Sequence, residues 1–222
     1  MKKIGIISDT HSYWDDKYLH YFEPCDEIWH AGDIGSTEVA DRLAAFRPLR
    51  AVYGNCDGGD LRLMFTEKLR WKCEDVDVLM KHIGGYPGNY DASIRGQIFT
   101  SPPQLFISGH SHILKVKYDK TLRLLHINPG AAGMQGWHKE RTLVRLTIDG
   151  SSFKDCEVIT LPLTFIEKDG IIKSQIISLG GCLCPFQRIM AEYRYTIRAN
   201  FPISFIPGTA APSPITGVGC LH

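Results

Sequence analysis

The 222-residue sequence has no apolar run near the roughly 20 residues that a membrane-spanning helix requires. At its amino terminus, Met1-Lys2-Lys3 leads directly into a predicted strand, without the apolar segment and cleavage site of a signal peptide. Both absences argue against membrane insertion and export. The sequence therefore predicts a cytoplasmic protein with no membrane partner.

An excess of charge of one sign is also lacking. The chain has 25 Lys and Arg residues against 24 Asp and Glu residues, which gives a formal net charge of +1. Binding to nucleic acid depends largely on cations that neutralise phosphates. We therefore expect no strong affinity for nucleic acid.

The cysteines lack the spacing of a disulfide framework. There are seven of them, an odd number at irregular intervals, which predicts reduced thiols. The Cys182-Leu183-Cys184 pair is too close and too isolated for a zinc site. Cys25, Cys73 and Cys156 are expected to be small buried fillers of the core.

What the sequence does contain is a series of short apolar runs, within a chain that is 44% hydrophobic and long enough for one sizeable core. Six runs are predicted strands, at residues 4–8, 27–31, 49–53, 78–81, 105–108 and 122–127. Their near-continuous Ile, Val and Leu content indicates strands covered on both faces. Helical patterns at 38–46 and around 18–22, and a hairpin around Asp149-Gly150, complete a layered α/β fold.

Polar residues able to hold a metal follow five of these runs directly, and Asn128-Pro129-Gly130 follows the sixth. The metal-competent residues are Asp9, His11, Asp33, Asn55, His82, His110 and His112. Ligand sites in open α/β sheets lie beyond the carboxyl ends of the strands, so we expect these side chains to form one site. Gly32, Gly54 and Gly109 each stand directly before one of these residues, and a glycine there allows the backbone to approach an ion or a phosphate closely.

The composition changes at about Leu163. The final 60 residues contain five prolines and six glycines and carry no motif typical of a catalytic site. A strand is predicted at 171–179 and an amphipathic helix at 186–197. Residues 163–222 are interpreted as a C-terminal extension, and the sequence leaves open whether it is a docking element, a disordered segment or a non-native addition.

Five motifs occur in a fixed order along residues 1–162: Asp-x-His, Gly-Asp, Gly-Asn-x-Asp, a lone His after a strand, and Gly-His-x-His. This series resembles the calcineurin-like metallophosphoesterase superfamily, and Gly54-Asn55-Cys56-Asp57 is most similar to its small bacterial phosphodiesterase branch. The resemblance implies a metallophosphoesterase domain over 1–162. Its expected fold is two packed mixed β-sheets flanked by helices.

The resemblance also implies two divalent cations, with Asp33 bridging them. The other ligands divide into Asp9, His11 and His112 for the first cation and Asn55, His82 and His110 for the second. Oxygen and imidazole ligands suit borderline or hard ions, and Mn²⁺ is the favoured ion, with Fe²⁺, Zn²⁺ and Ni²⁺ left open. Such a pair supports in-line attack on phosphorus by a hydroxide that bridges the ions.

Four residues are predicted to be catalytic on the same resemblance: Asn55, Cys56, Asp57 and His82. The neutral amide of Asn55 keeps the negative charge of the site low, and Asp57 is expected to accept a hydrogen bond that fixes a nearby donor. Cys56 stands where many family members have His. A thiol cannot supply the positive charge of an imidazolium, so we expect phosphodiesters with good leaving groups to be preferred over ordinary monoesters.

The remaining histidines are not predicted to be ligands. His30 and His126 lie inside predicted strands and are interpreted as packing residues with satisfied hydrogen bonds. His20, His138 and His222 have no partner motif.

Several other residues flank the expected site. The loop at 85–90 is a candidate wall on the substrate side, and Ile83 is expected to narrow the pocket. Arg141 and Lys115 are expected to be solvated charges at strand ends. Residues 137–139 either meet substrate or form an exposed loop, and the sequence does not choose between the two.

The leading functional hypothesis is a dinuclear metal-dependent phosphodiesterase acting on a small phosphodiester. The alternative is a non-catalytic scaffold of the same fold, because the superfamily includes the retromer subunit, which acts through protein contacts. A nuclease is disfavoured by the near-neutral charge. The sequence leaves the oligomeric state open, a homo-oligomer included.

Overall fold

The computed structural model describes residues 1–162 and, in the remainder, the backbone of three short strands at 165–166, 172–173 and 194–195. The strands are β1 Lys2–Ile7, β2 Glu27–His30, β3 Leu49–Ala51, β4 Lys68–Cys73, β5 Val76–Lys81, β6 Gly85–Tyr86, β7 Asn89–Tyr90, β8 Leu105–Ile107, β9 Lys115–Asp119, β10 Leu124–Asn128, β11 Arg141–Asp149, β12 Ser152–Leu161, β13 Phe165–Ile166, β14 Ile172–Lys173 and β15 Arg194–Tyr195. The helices are α1 Lys17–Phe22, α2 Thr37–Phe46, α3 Gly59–Met64 and α4 Ala92–Thr100.

Two mixed sheets form the architecture. The first has the order β15-β12-β11-β1-β2-β3, and the second has the order β4-β5-β8-β10-β9. Within the first sheet β1, β2 and β3 are parallel, and within the second β5, β8 and β10 are parallel. The predicted fold class is confirmed, and all six predicted strands are present with bounds shifted by one or two residues.

A core of aliphatic and aromatic side chains joins the inner faces of the two sheets. Ile6 and Trp29 come from the first sheet, and Val78 and Ile107 come from the second; all four are fully buried. The outer face of the first sheet is also covered, because Ile7 packs in a second cluster with residues of α1 and α2. Burial on both faces explains the continuous apolar pattern of these strands.

The predicted helix at 38–46 is confirmed as α2, with Val39 and Leu43 buried against the sheet. Ser36 occupies the N-cap position with extended backbone, although its side chain makes no capping hydrogen bond. Helix α1 buries Tyr18, Tyr21 and Phe22.

The β11/β12 hairpin is confirmed as well, and it is longer than predicted because pairing continues to Asp149 and Ser152 next to the turn.

The sequence patterns did not reveal α3, α4, β4 and β9. The loop predicted at 85–90 contains a two-stranded hairpin, β6 and β7. The helix predicted at 186–197 is wrong at Arg194–Tyr195, which pairs with β12 as a strand. The strand predicted at 171–179 coincides with β14 at Ile172–Lys173, and the rest of both predictions lies outside the described residues.

The prediction that Arg141 is a solvated charge is wrong. Its side chain is 2% exposed and donates hydrogen bonds to Ala132 O at 2.6 Å, Asp15 Oδ2 at 2.9 Å and Tyr18 Oη at 3.1 Å. A buried guanidinium is tolerated only when it is paired and its donors are satisfied. These bonds tie β11 to the segments that follow β1 and β10.

Lys115 is not a fully solvated charge either. It is half-buried, and its ammonium group lies 3.4 Å from the centroid of the Tyr86 ring.

Among the described residues, no helix has both the length and the apolar character needed to cross a membrane.

Candidate metal centre

The ends of parallel strands from both sheets converge on one cluster of imidazoles and carboxylates. Asp9 and His11 follow β1, Asp33 follows β2, His82 follows β5, and His110 and His112 follow β8. Three overlapping groups offer ligand atoms that lie within 4.8 Å of one another: Asp9, His11 and His112; Asp33, His82 and His110; and His11, Asp33 and Cys56. The structure therefore brings together six of the seven predicted ligands, while Asn55 lines a cavity beside His82.

The first group centres on Asp9. His112 Nε2 lies 3.2 Å from Asp9 Oδ1, and His11 Nε2 lies 3.2 Å from His112 Nε2. Two imidazole nitrogens facing each other at this distance beside a carboxylate resemble a ligand set around a shared cation. The composition of this group is the one that the family resemblance implies for the first metal.

The second group centres on Asp33. His82 Nε2 lies 3.2 Å from Asp33 Oδ2, and the rings of His82 and His110 are 5.4 Å apart. Asp33 Oδ2 also lies 3.8 Å from His11 Nε2 in the first group. Asp33 consequently occupies the position between the two groups, where a bridging ligand would stand.

Each of the two carboxylates has one oxygen held by a backbone N–H group from another loop. His110 N donates to Asp9 Oδ2 at 3.2 Å, and Cys56 N donates to Asp33 Oδ1 at 2.8 Å. The remaining oxygens, Asp9 Oδ1 and Asp33 Oδ2, face the histidines. The loops thus orient the free oxygen of each carboxylate into the cluster.

Two buried atoms of the cluster lack a hydrogen-bond partner in the described part of the chain, Asp9 Oδ1 and His82 Nε2. His82 Nδ1 lies 2.8 Å from Ala31 O, and because a carbonyl only accepts, Nδ1 carries a proton and Nε2 is the ring nitrogen that faces the carboxylates. An unsatisfied buried polar group costs about 1–3 kcal/mol. An imidazole nitrogen and a carboxylate oxygen that lack hydrogen bonds and lie 3.9 Å apart fit a divalent cation, so the residues present suit the metals that the family implies.

The protonation states agree with this interpretation. Burial opposes ionisation of Asp33, but His82 and the Cys56 N–H outweigh it and hold the pKa of Asp33 well below its ordinary value. Burial lowers the pKa of His11 despite its carboxylate neighbours, so its ring is neutral. The Asp9 carboxylate, whose Oδ1 lies 3.2 Å from His112 Nε2, raises the pKa of His112, as expected of a position that favours positive charge.

The backbone at the cluster is strained. Five predicted ligands have positive φ angles: Asp9 (54°), His11 (46°), Asp33 (53°), His110 (68°) and His112 (56°). Left-handed backbone at a non-glycine residue costs roughly 1–3 kcal/mol and is concentrated at functional sites. These turns direct the side chains that follow β1, β2 and β8 into one volume.

Glycines allow the loops to approach the ligands closely. A Cβ built at Gly54 would lie 2.1 Å from Asp33 Oδ1, and one built at Gly109 would lie 2.2 Å from Ser8 Oγ and 3.0 Å from Asp9 Oδ2. Neither contact is compatible with a side chain. The predicted role of these glycines in close backbone approach is confirmed.

The three residues of the Asn55-Cys56-Asp57 segment have different relations to the metal cluster. Asn55 is exposed, and its Nδ2 donates to Cys56 Sγ at 3.3 Å, which leaves the amide oxygen free for a cation. Loss of hydration and the nearby Asp33 carboxylate raise the pKa of the Cys56 thiol, so it is protonated at neutral pH. Asp57 is buried below the loop rather than facing the cluster.

Asp57 accepts hydrogen bonds from three backbone N–H groups, those of Gly35 at 2.7 Å, Gly54 at 2.8 Å and Ile34 at 3.1 Å. It therefore joins the loops that follow β2 and β3. This position agrees with the predicted role as an acceptor that fixes nearby donors.

Two excluded histidines lie in the core as predicted. His30 Nδ1 accepts from Gly32 N at 3.2 Å and His30 Nε2 lies 2.9 Å from Thr10 Oγ1, and burial lowers its pKa to about 4. His126 Nε2 lies 3.0 Å from Ser108 Oγ, and burial lowers its pKa to about 3. His126 Nδ1 has no partner in residues 1–162, so the prediction of full hydrogen bonding is wrong there.

His138 lies next to the cluster. Its sequence neighbours form no recognisable motif, so the sequence did not predict this position. Its ring lies 5.4 Å from that of His112, and its Nε2 donates to Gly133 O at 3.1 Å. Gly136, whose φ is +123°, allows this close approach, because a Cβ there would lie 2.3 Å from His112 Nδ1. Trp137 is fully exposed, which favours the exposed-loop interpretation for that residue.

Two cavities adjoin the cluster. The larger, about 610 Å³, is lined by His110 and by Tyr86 and Tyr90 of the predicted substrate-side wall. The smaller, about 470 Å³, is lined by Asn55, His82, Lys81 and Arg62. Ile83 and Asp91 line both cavities and so stand between them.

Comparison with known proteins agrees with these observations. A probable metallophosphoesterase from Methanothermobacter thermautotrophicus is 28% identical over 161 residues, which cover 70% of this chain and 91% of that protein. A solved archaeal phosphodiesterase is 23% identical, with a TM-score of 0.58, and the match covers 72% of this chain and 99% of that one. Entamoeba histolytica Vps29 complexed with Zn²⁺ is 18% identical, with a TM-score of 0.59, over 77% of this chain and 96% of that one.

The two structural matches are too distant in sequence to show more than a shared fold. The sequence profile of the calcineurin-like phosphoesterase superfamily domain matches residues 1–151, which is more than half of the chain. The motifs, the two-sheet fold and the cluster at the strand ends all agree with that match. The chain belongs to the calcineurin-like phosphoesterase superfamily.

Proposed function

We propose that this protein is a dinuclear metal-dependent phosphodiesterase that hydrolyses a small phosphodiester. The observation that carries the proposal is the pair of buried, unpartnered atoms, Asp9 Oδ1 and His82 Nε2, at the centre of converging ligand groups. These two atoms form no hydrogen bond and face further imidazole and carboxylate groups, an arrangement that suits cations. Mn²⁺ is the favoured ion for its mixed oxygen and imidazole ligands.

In this proposal, Asp33 stands between the two sites. Asp9, His11 and His112 hold the first cation, and Asn55, His82 and His110 hold the second. When bound, a pair of cations activates water and neutralises the charge that builds on the phosphoryl oxygens. The chain's own contribution is to hold these ligands in place through backbone hydrogen bonds and strained turns.

Cys56 supports a preference for diesters with good leaving groups. Its raised pKa keeps the thiol neutral, so it offers neither a strong proton donor nor a positive charge to a departing alkoxide. The two cavities that meet at Ile83 support the same preference. A phosphodiester carries two organic substituents, and one can occupy each cavity, whereas a monoester carries only one.

The decisive experiment is hydrolysis of bis-p-nitrophenyl phosphate by protein that has been stripped of metal and reloaded with Mn²⁺. We expect metal-dependent turnover that falls at least about 100-fold in Asp33→Asn, because this change weakens the ligand between both sites. Asp41→Asn, at an exposed position of α2, is the matched control and should keep full activity.

The scaffold function is the competing outcome. Folded protein that shows no turnover with Mn²⁺, Fe²⁺, Zn²⁺ or Ni²⁺, and no heat of binding when titrated with these ions, would refute the phosphodiesterase and favour the scaffold. The presence of all seven ligand positions favours the enzyme, because a protein that acts only through contacts need not keep every ligand.

A further inference from the structure

The larger cavity beside His110 is lined by two cationic side chains, Arg95 of α4 and Lys115 of β9, and by one carboxylate, that of Asp91. Within the described part of the chain, neither forms an ion pair. The Lys115 ammonium group rests on the face of the Tyr86 ring, 3.4 Å from its centroid, which positions the charge without cancelling it.

The acidic residues nearby are already engaged. Asp91 caps α4, where its Oδ1 accepts from Ser93 N at 2.8 Å. Asp119 Oδ2 accepts from Tyr90 Oη at 2.9 Å, and its Oδ1 accepts from the backbone N–H groups of Thr121 and Leu122. Among its described lining residues, the cavity therefore has two cations against one carboxylate, and that carboxylate is directed to the start of α4 by its capping bond.

An exposed cation ordinarily keeps a surface hydrated, but Arg95 and Lys115 differ from such cations in two respects. First, both line one cavity of about 610 Å³, a volume suited to a small-molecule substituent. Second, that cavity is also lined by His110 of the metal cluster. A guanidinium also binds phosphate or carboxylate through two parallel hydrogen bonds.

We propose that Arg95 and Lys115 bind a second anionic group, a phosphate or a carboxylate, carried by one substituent of the phosphodiester. The inference rests on the proposed function and narrows its substrate class to phosphodiesters with a charged substituent. Tyr86 acts as a positioning residue that holds the Lys115 ammonium group over the cavity.

The test uses three p-nitrophenyl phosphodiesters that differ only in the second alcohol: glycerol, glycerate and glycerol 3-phosphate. Full-length Mn²⁺-loaded protein should cleave at least one anionic ester with a kcat/KM about tenfold above that of the glycerol ester, mainly through a lower KM, as expected for hydrogen bonds to a charged group. A gain for the phosphate ester alone assigns phosphate, and a gain for the glycerate ester assigns carboxylate; either result supports the proposal.

The double variant Arg95→Gln/Lys115→Gln should lose this preference while it keeps turnover of bis-p-nitrophenyl phosphate. Lys72→Met, an exposed cation on β4, is the matched control and should keep the preference. Equal turnover of all three esters by the unmodified protein, or a preference that survives in the double variant, would overturn the inference.

A binding measurement separates this inference from the proposed function. Calorimetric titration of metal-free, full-length protein with the same esters involves no turnover, and we expect the dissociation constant of the preferred anionic ester to be about tenfold lower than that of the glycerol ester. That difference should vanish in the double variant. Inactivity toward bis-p-nitrophenyl phosphate would refute the phosphodiesterase alone, whereas absence of the binding difference would refute the anion site alone.

Discussion

Cys56 and Asp33 are joined through the backbone: Cys56 N donates to Asp33 Oδ1 at 2.8 Å, which leaves Asp33 Oδ2 facing His82 Nε2 at 3.2 Å. The thiol takes no part in this bond. A new side chain at position 56 leaves this backbone bond in place, although the Cys56 thiol also lies within 4.8 Å of ligand atoms of Asp33 and His11. We therefore expect substitutions at position 56 to alter substrate preference more than the position of the Asp33 carboxylate.

This relationship predicts the behaviour of two substitutions at Cys56. Cys56→Ala should keep Mn²⁺-dependent hydrolysis of bis-p-nitrophenyl phosphate within about threefold, because p-nitrophenolate needs no proton donor to leave. Cys56→His should raise hydrolysis of alkyl phosphate monoesters by about tenfold or more, because an imidazolium can protonate the departing oxygen. Steady-state kinetics on both substrates measure the effect, and loss of diesterase activity in Cys56→Ala would contradict it.

Alanine substitutions at Gly109 and Gly96 test whether the backbone beside the cluster needs a residue without a side chain, with Gly96 as the control. Gly109→Ala places a methyl group 2.2 Å from Ser8 Oγ, so we expect at least about 2 kcal/mol of destabilisation and weaker Mn²⁺ binding. Gly96 lies in α4, where an added Cβ would have no neighbour within 4 Å, and Gly96→Ala should stabilise the fold by about 0.5–1 kcal/mol. Urea unfolding and calorimetric Mn²⁺ titration of both variants provide the measurements, and equal effects would be inconsistent with the geometry.

The buried Arg141 should contribute strongly to stability. Arg141→Met leaves Asp15 without its ion pair and Tyr18 Oη without the guanidinium donor, so we expect a loss of about 3–5 kcal/mol in the free energy of unfolding. Lys139→Met, an exposed charge two residues earlier, should change the free energy by less than about 0.5 kcal/mol. Denaturant unfolding distinguishes the two variants, and a similar small effect for both would restore the solvated interpretation of Arg141.

Glu27 should make stability depend on pH in the acid range. Burial opposes its ionisation, but hydrogen bonds from Lys2, Trp29 and Arg50 outweigh this and lower the pKa of Glu27 from 4.5 to about 2. A carboxylate with a depressed pKa stabilises the fold above its unfolded-state pKa, and that contribution is lost as the pH falls from about 4.5 to about 2. Because Lys2 and Arg50 are partly exposed, we expect its size to be about 1–2 kcal/mol.

The measurement for Glu27 is a comparison of unfolding free energies for the unmodified protein and Glu27→Gln. The difference should be largest near neutral pH and shrink below pH 4. Glu140→Gln, at an exposed position, is the control and should show no such trend. A difference that stays constant across the acid range would disprove the linkage.

The sequence by itself determined the central strands and the location of the candidate site. Residues 4–7 of β1 and all of β8 are buried on both faces, so these segments lack charged residues and stand out without knowledge of their partners. The residues that follow them are polar and preceded or followed by glycine, because the chain must turn there and approach an ion closely. Local sequence carries this information, since both requirements act on consecutive residues.

Tertiary structure decided the placement of the edge strands, the burial of Arg141 and the position of His138. Strands β4 and β9 alternate charged and apolar residues, so they lack the continuous apolar composition of the central strands, and pairing with β5 and β10 places them at the edges of the second sheet. Arg141 is buried because Asp15, 126 residues away in the chain, supplies its counter-charge. His11 and His112 likewise meet across 101 positions. Contacts of this kind leave no local pattern, because the two partners are brought together only when both sheets have packed.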